Sequence, residues 1–123
     1  MSDKEPHKLL PITPLTLHVM LALADVERHG YGIIKEVSFR TDGRVELETG
    51  TLYAALKRMR DDELIDVVPA SERPPEEDRR RRTYRLTTFG REILRAETER
   101  LKELVGTAIA KQVIPAAAMG DGK

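Results

Sequence analysis

Residues 49–65 carry the pattern of one amphipathic helix with two distinct faces. Leu52, Leu56 and Met59 recur at i, i+4 and i+7, the spacing that stacks side chains on one side of a helix. These three residues are therefore predicted to point into a core. The same spacing, one residue later, gives a second set: Tyr53, Lys57 and Arg60. The segment thus predicts a helix that packs on one face and offers tyrosine and basic side chains on the other.

The first turn of this helix carries small polar residues. Thr49 is predicted to be the N-cap, because its hydroxyl can accept from backbone N–H groups that lack an intrahelical partner. A slim basic helix of this kind fits the roughly 12 Å wide major groove of B-DNA. The residues predicted to meet DNA here are Thr49, Gly50, Thr51, Tyr53, Ala54, Lys57 and Arg60. An ordinary core helix with a solvated basic side explains the same pattern, and from this helix alone it is the preferred interpretation.

Composition limits the class of protein. At 123 residues the chain has one domain's worth of material, enough for a core without metals or crosslinks. It contains no cysteine, which excludes disulfides and thiolate metal sites and suits a reducing cytoplasm. The 21 basic and 21 acidic residues cancel, which argues against a protein that coats nucleic acid through bulk charge. Charge must therefore be judged locally.

The N-terminal region predicts a soluble helix. Thr13 is placed as its cap and Pro14 as its first residue. A basic stretch before an apolar one suggests a signal peptide, but acidic residues lie within it, and Thr16 and His18 interrupt a run already short for a membrane span. No membrane association is therefore expected. The residues predicted to face inward are Leu17, Met20, Leu21 and Ala24.

Further elements follow in a fixed order. Residues 25–29 are predicted to form a charged turn, and a short second helix runs from Gly30 to near Arg40. Residues 41–43, Thr-Asp-Gly, favour a tight turn. Residues 45–47 alternate like a brief strand before the helix at Thr49 begins.

Two more short strands are predicted at 65–67 and 83–87, with Tyr84 and Leu86 on one face. Between them, residues 69–82 include a Pro-Pro pair and a run of charged side chains, which cannot pack and should form an exposed hairpin loop. Helix, helix, helix, hairpin is the order of a winged helix-turn-helix domain. The predicted fold is therefore mainly α with a small β-hairpin wing, plus a long C-terminal helix.

The last helix is predicted from Thr88 to about Val113, on the order of 40 Å long. Its apolar stripe extends further than one small core can cover: Leu94, Leu101, Leu104, Val105, Ala108 and Ile109. One interpretation folds it back over the first helix. Pairing with a second copy is preferred, because a two-fold dimer buries the stripe and places two recognition helices on successive turns of DNA. The expected division is a DNA-binding domain over 1–87, a dimerisation helix over 88–113 and a tail over 114–123.

Four motifs occur in an order and spacing that are specific when taken together. They are His29-Gly30-Tyr31-Gly32, Gly50-Thr51-Leu52-Tyr53 with Leu56 and Arg58, Leu64-Ile65, and Arg82-Thr83-Tyr84-Arg85-Leu86-Thr87 followed by Gly90. Through them, residues 10 to 112 resemble the PadR family of bacterial transcriptional regulators, in its short form with a single C-terminal helix. The resemblance implies a dimeric repressor that binds an inverted repeat near a promoter and is released by a small molecule or another signal.

Two features depart from the family pattern. Glu63 stands where family members usually have a glycine, so the turn into the wing is expected to differ slightly. The chain also has no tryptophan, so the aromatic sandwich that some relatives use to hold planar drugs is not carried over. The effector, and the existence of a pocket for one, stay open.

Each predicted DNA contact has a plainer alternative. Tyr53 is expected to donate to a phosphate, or else to be a half-buried core residue. Lys57 and Arg60 are expected to meet phosphates or base edges, or else to be solvated or paired with nearby acids. Tyr31 suits a phosphate contact or a core position. The wing arginines suit the DNA backbone or a minor groove: Arg79, Arg80, Arg81 and Arg82. The acidic run before them either holds the loop in place or keeps it soluble.

Catalytic chemistry is not indicated. The serines lie in no nucleophile motif, the histidines have no pattern of partners, and no glycine-rich phosphate loop is present. We therefore expect no enzymatic activity, no metal site and no cofactor. The sequence predicts a cytoplasmic, homodimeric, sequence-specific repressor whose partner is double-stranded DNA. The alternative is a winged-helix module that holds a protein partner and does not bind DNA.

Overall fold

Helices surround a small antiparallel sheet in the computed structural model, which describes residues 9–74 and 81–116. The elements in chain order are α1 (Pro14–Ala22), β1 (Arg28–His29), α2 (Gly30–Arg40), α3 (Thr49–Asp61), β2 (Ile65–Val67), β3 (Thr83–Leu86) and α4 (Thr88–Ala110). A single 3-10 turn, Ala70–Glu72, follows β2. Helices α1, α2 and α3 pack on one another, and α4 packs on α1 and on the sheet. The predicted succession of three helices, a hairpin and a long last helix is confirmed.

The start of α1 is as predicted, and the four residues predicted to face inward do contact the core. The Thr13 hydroxyl accepts from the Thr16 N–H at 3.2 Å, and Pro14 is the first helical residue. Met20 is buried, and Leu17, Leu21 and Ala24 are partly buried and pack against the core. Because nearly every side chain of α1 is apolar, its pattern does not single out the most buried face. The prediction omits three residues of that face, which are also buried: Val19, Ala22 and Leu23.

Helix α3 has the predicted core face and different ends. Leu52, Leu56 and Met59 are buried as expected. Thr49 is the first helical residue rather than the cap. Glu48 holds the cap position without a side-chain hydrogen bond. The helix stops at Asp61 instead of continuing to residue 65.

A left-handed residue ends α3. Glu63 has φ of 66°, and its N–H donates to the Arg60 carbonyl at 3.0 Å. The Leu64 N–H donates to the Met59 carbonyl at 2.9 Å. These two bonds form a Schellman motif, in which the residue at the Glu63 position is usually glycine. Glu63 therefore makes the turn into the wing in a conformation that an L side chain disfavours.

Replacing Glu63 with glycine is expected to raise the free energy of unfolding by about 0.5–1 kcal/mol. The left-handed conformation costs an L residue roughly 1–2 kcal/mol, and the greater backbone freedom of glycine in the unfolded chain offsets part of the gain. Urea denaturation measures the change. The Glu63→Ala variant keeps the strained Cβ and is the matched control, expected to differ little from the parent. A glycine variant no more stable than the alanine variant would contradict the assignment of strain.

The sheet has three strands in the order β1-β3-β2, all antiparallel. Strands β2 and β3 are the predicted hairpin. Strand β1 was predicted to be part of a charged turn, and it pairs instead with β3 through Arg28 opposite Tyr84 and His29 opposite Thr83. Residues 45–47, predicted to be a strand, form none. Their alternation reflects Val45 and Leu47, which pack against the core without a ladder partner.

Helix α4 is shorter than predicted and contributes to the core through its first half only. It ends at Ala110 because Gln112 has φ of 65° and the Val113 N–H returns to the Ala108 carbonyl at 2.8 Å. Its buried residues are Gly90, Ile93, Leu94 and Glu97. Leu94, predicted to lie at a dimer interface, is 6% exposed and belongs to the core of its own protomer. No described residue of α4 after Glu97 is buried.

Candidate nucleic-acid interface

The outer face of α3 is exposed along its whole length. Tyr53 is 46% exposed, so it is not a core residue. All the positions predicted for DNA contact on this helix are exposed: Thr49, Gly50, Thr51, Tyr53, Ala54, Lys57 and Arg60. The opposite face holds the buried side chains. The helix therefore presents a continuous polar surface on a rigid support.

A groove of about 620 Å³ separates α3 from the wing, which we define as β2, β3 and the segment joining them. Its charged lining residues are Lys57, Arg60, Asp61, Asp66 and Arg82. Three cations and two carboxylates thus share one groove. The tyrosine rings of the groove are those of Tyr53 and Tyr84.

Local acids pair with only part of this basic set. The Lys57 Nζ lies 3.5 Å from the Asp61 Oδ2, with both side chains mostly exposed, so the pair is worth little in water. Arg60 and Arg82 make no ion pair or hydrogen bond with any residue in 9–74 or 81–116. Intramolecular neutralisation, one of the two plainer alternatives, therefore applies to Lys57 and not to Arg60.

Arg85 forms ion pairs within the wing. The Arg85 Nε donates to the Asp66 Oδ1 at 3.0 Å, and one of its terminal nitrogens donates to the Glu72 Oε1 at 2.8 Å. These bonds, with Glu72 contributing most, raise the pKa of Arg85 above its ordinary value. The pair depends on the cross-strand register of Asp66 and Arg85, which the sequence alone does not give. Arg81 and Arg82 are exposed, whereas Arg79 and Arg80 lie outside the described residues.

His29 joins the wing to the start of α2, a role that the sequence did not suggest. Its Nδ1 accepts from the Gly32 N–H at 3.3 Å, which makes His29 the cap of α2. Its Nε2 lies 3.1 Å from a terminal nitrogen of Arg81. Because a neutral imidazole has one acceptor nitrogen, only one of these contacts is a full hydrogen bond at a time. The His29 imidazole thus brings Arg81 of the wing close to the first turn of α2.

Gly30 lets α3 approach the start of α2. A Cβ at this position would overlap the Tyr53 hydroxyl and would lie 2.7 Å from the Tyr53 Cζ. The phenol of Tyr53 therefore rests directly on the first turn of α2. Tyr31, next to it, is 57% exposed, with the Lys35 Nζ 5.3 Å from its ring centre. The core alternative for Tyr31 is excluded.

The comparison with protein families decides the class. Residues 19–96 match the model of the transcriptional regulator PadR-like family. The chain belongs to this family. It is 36% identical over 96 residues to transcriptional regulator Rv3488 of Mycobacterium tuberculosis, which covers 78% of this chain and 83% of that protein. An uncharacterized 37.1 kDa protein of a Streptomyces fradiae transposon is 36% identical over 95 residues. That match spans 77% of this chain and 25% of the transposon protein.

Solved structures show the same fold. A transcriptional regulator from Clostridium thermocellum aligns with a TM-score of 0.64 at 23% identity, over 93% of this chain and 99% of that one. A PadR family transcription regulator from hypervirulent Clostridium difficile aligns with a TM-score of 0.63 at 24% identity, over 81% of this chain and 98% of that one. The PadR resemblance and the winged-helix fold are confirmed. As a PadR-like protein, the chain is a transcriptional regulator and not an enzyme.

No helix among the described residues of this PadR-like chain combines the length and the apolar character that crossing a bilayer requires.

Proposed function

We propose that this PadR-like regulator is a cytoplasmic homodimeric repressor that binds an inverted-repeat operator through α3 and the wing. The observation that carries the proposal is the division of α3 into a buried apolar face and an exposed face of tyrosine and basic residues. The groove beside it is bounded by Arg82 of the wing. Family membership supports regulation through DNA.

The exposed residues divide into two kinds of contact. The small first turn of α3 enters the major groove, where base edges are read: Thr49, Gly50, Thr51 and Ala54. Tyr53, Lys57 and Arg60 lie further along and meet phosphates or base edges, while Tyr31 meets the backbone from α2. The wing arginines then follow the adjacent backbone or minor groove: Arg79, Arg80, Arg81 and Arg82.

The second half of α4 supports a dimer. Residues 98–110 contain no buried side chain, and at 1.5 Å per residue they extend about 20 Å past the core. An isolated helix of this length is marginal in water. Its apolar side, which a second copy would cover, consists of Leu101, Leu104, Val105, Ala108 and Ile109. A two-fold axis through this stripe pairs two α3 helices, as an inverted repeat requires.

Binding to a fragment of the upstream region of its own gene, measured at two salt concentrations, tests the proposal. Each phosphate neutralised by Lys or Arg releases counterions, so affinity should fall by about 10³-fold or more between 50 and 200 mM salt if six or more phosphates are contacted. A protein that copurifies with a second polypeptide and ignores the duplex, or whose affinity for DNA does not change with salt, would contradict it.

Variants of the outer face of α3 should weaken binding without unfolding the protein. Tyr53→Phe is expected to lower affinity about tenfold, the effect of losing one hydrogen bond to a charged group. Lys57→Ala is expected to reduce the slope of log affinity against log salt by about 1. The thermal midpoint should hardly change, because both side chains are exposed.

The matched control for charge is Arg95→Ala. Arg95 is an exposed cation on α4 whose ion pair is with Glu99, so it also removes one positive charge from a helix surface. It should leave both affinity and salt slope unchanged. If all three variants bind as the parent does, the outer face of α3 is not the DNA contact.

A further inference from the structure

Tyr84 is a buried tyrosine whose hydroxyl has no hydrogen-bond partner among the described residues. The residue is 3% exposed, at the centre of the sheet between Arg28 of β1 and Val67 of β2. Its hydroxyl makes no hydrogen bond with the described residues. Within those residues, every fully enclosed side-chain nitrogen or oxygen has a partner. The ring of Tyr84 is therefore enclosed while its hydroxyl opens into the space that the ring lines.

That space is a pocket of about 370 Å³ at the N-terminus of α2, which we call the α2 pocket. It shares Tyr53, Arg82 and Tyr84 with the larger groove beside α3. The remaining polar lining comes from Arg81, His29 and the first turn of α2. The described lining therefore combines two guanidinium groups, three phenols and the start of an 11-residue helix.

Among the described residues, no carboxylate lines the α2 pocket, in contrast to the groove, where Asp61 and Asp66 are present. The first N–H groups of a helix carry a partial positive charge and attract anions. Arginine side chains bind phosphate through paired, charge-assisted hydrogen bonds. Every polar group among the described lining residues is a donor or can act as one. The Tyr84 hydroxyl, which opens into this space from a buried ring, is the group that packing alone does not explain.

We propose that the α2 pocket binds a phosphate group, with the Tyr84 hydroxyl donating to one of its oxygens and Arg81 and Arg82 to the others. A tetrahedral anion with several acceptor oxygens suits donors that converge from the sheet, the wing and a helix. Arg81 would exchange its contact with His29 for the phosphate. That exchange would leave the His29 Nδ1 free to cap α2.

The proposal deepens the proposed function, because a DNA backbone phosphate is one source of the ligand and a free phosphate-bearing molecule is the other. Both sources present the same chemistry. In the first case the pocket fixes the register of the protein on the duplex. In the second, an effector held between α2 and the wing would alter the surface offered to DNA.

The first arm of the test uses inorganic phosphate and the full chain labelled with ¹⁵N, at constant ionic strength maintained with chloride. The amide signals of Gly30 and Tyr31 are expected to shift saturably at millimolar phosphate. In Tyr84→Phe, which keeps the ring and loses only the hydroxyl, the dissociation constant should rise at least about fivefold. The thermal midpoint without phosphate should stay the same, since the hydroxyl has no hydrogen-bond partner to lose among the described residues.

The second arm measures DNA binding of the same variant in buffer free of phosphate. If Tyr84→Phe loses affinity about tenfold, the DNA backbone is the source. Unchanged DNA affinity together with weakened phosphate binding assigns the pocket to a free phosphate-bearing ligand. Amide shifts that do not saturate, or that are equal in the two proteins, overturn the inference. That result does not bear on the DNA-binding proposal, which the salt-dependence measurement tests. Conversely, saturable phosphate binding by a protein that does not bind DNA would support the pocket and contradict the proposed function.

Discussion

Replacing Gly90 with alanine is expected to lower the free energy of unfolding by about 3 kcal/mol, at the upper end of the range for overpacking a core. A Cβ at this position would overlap the carbonyl oxygen of Leu64 and would lie 2.9 Å from its carbonyl carbon. That oxygen also accepts from the Thr87 N–H at 3.0 Å. The backbone cannot move away without opening the junction between the end of α3 and the start of α4.

The same helix supplies the control. Gly106 also lies in α4, but nothing is within 4 Å of the Cβ that alanine would add. Gly106→Ala should therefore raise stability by about 0.5–1 kcal/mol, the difference in helix propensity between the two residues. Urea denaturation at one protomer concentration compares both variants with the parent, since association contributes to apparent stability. Changes of the same sign and size would show that Gly90 does not mark a close packing of backbones.

Features set by local spacing could be predicted from the sequence. The buried face of α3 follows from Leu52, Leu56 and Met59, because a helix in contact with a core repeats its apolar residues with its own period. The start of α1 follows from Thr13 and Pro14, whose side chains favour the cap and the first helical position. Both signals lie within a few residues of the feature that they determine.

Features that depend on pairing between distant segments of the chain could not be predicted from the sequence. Strand β1 has two residues, Arg28 and His29, and becomes a strand only because β3 lies beside it. The ion pairs of Arg85 depend on the register between β2 and β3, which places Asp66 opposite Arg85, and on the turn that brings Glu72 alongside. A local sequence pattern does not indicate which segments, more than ten residues apart in the chain, lie side by side in the fold.

Glu97 shows the same limit in the core. It is 1% exposed, although a glutamate in a charged helix is ordinarily expected at the surface. Two nitrogens of Arg100 donate to its carboxylate at 2.7 and 2.9 Å. Arg100 is the largest cause of a lowered pKa for Glu97, to which a backbone hydrogen bond with Ile12 also contributes. The spacing of Glu97 and Arg100 is visible in the sequence. The sequence does not show that the segment before α1 covers the Glu97 carboxylate.

The candidate site was predicted residue by residue on α3 and incompletely elsewhere. Tyr53 and Lys57 share a helical face that the spacing gives directly. His29 of β1 and Tyr84 of β3 are far apart in the sequence, and only the assembled fold brings them together in the lining of the α2 pocket. Both residues lie in the motifs that the chain shares with the PadR family, but those motifs do not indicate that the two residues line one pocket.

Leu104→Glu is expected to convert the proposed dimer into a monomer and to lower affinity for a two-site operator about 100-fold or more. Leu104 is 55% exposed in the protomer, so a charge there does not disturb the core. At a dimer seam, the same charge would be buried without a partner, which is costly. Two linked contacts bind a repeated site far more tightly than either contact alone, and the variant removes that advantage. Sedimentation gives the oligomeric state, and a mobility shift on the operator gives the affinity.

Ala110→Glu is the matched control for this seam. Ala110 is exposed on the same part of α4, and at about 100° per residue it lies on the side of the helix opposite the stripe that includes Leu104 and Ala108. The substitution adds the same charge to the same helix, so it should leave both the dimer and its affinity for DNA intact. A Leu104→Glu protein that still sediments as a dimer would show that the second half of α4 is not the dimer interface. In that case the two copies of α3 would have to be paired by another surface, because an inverted repeat presents two half-sites whichever surface joins the protomers.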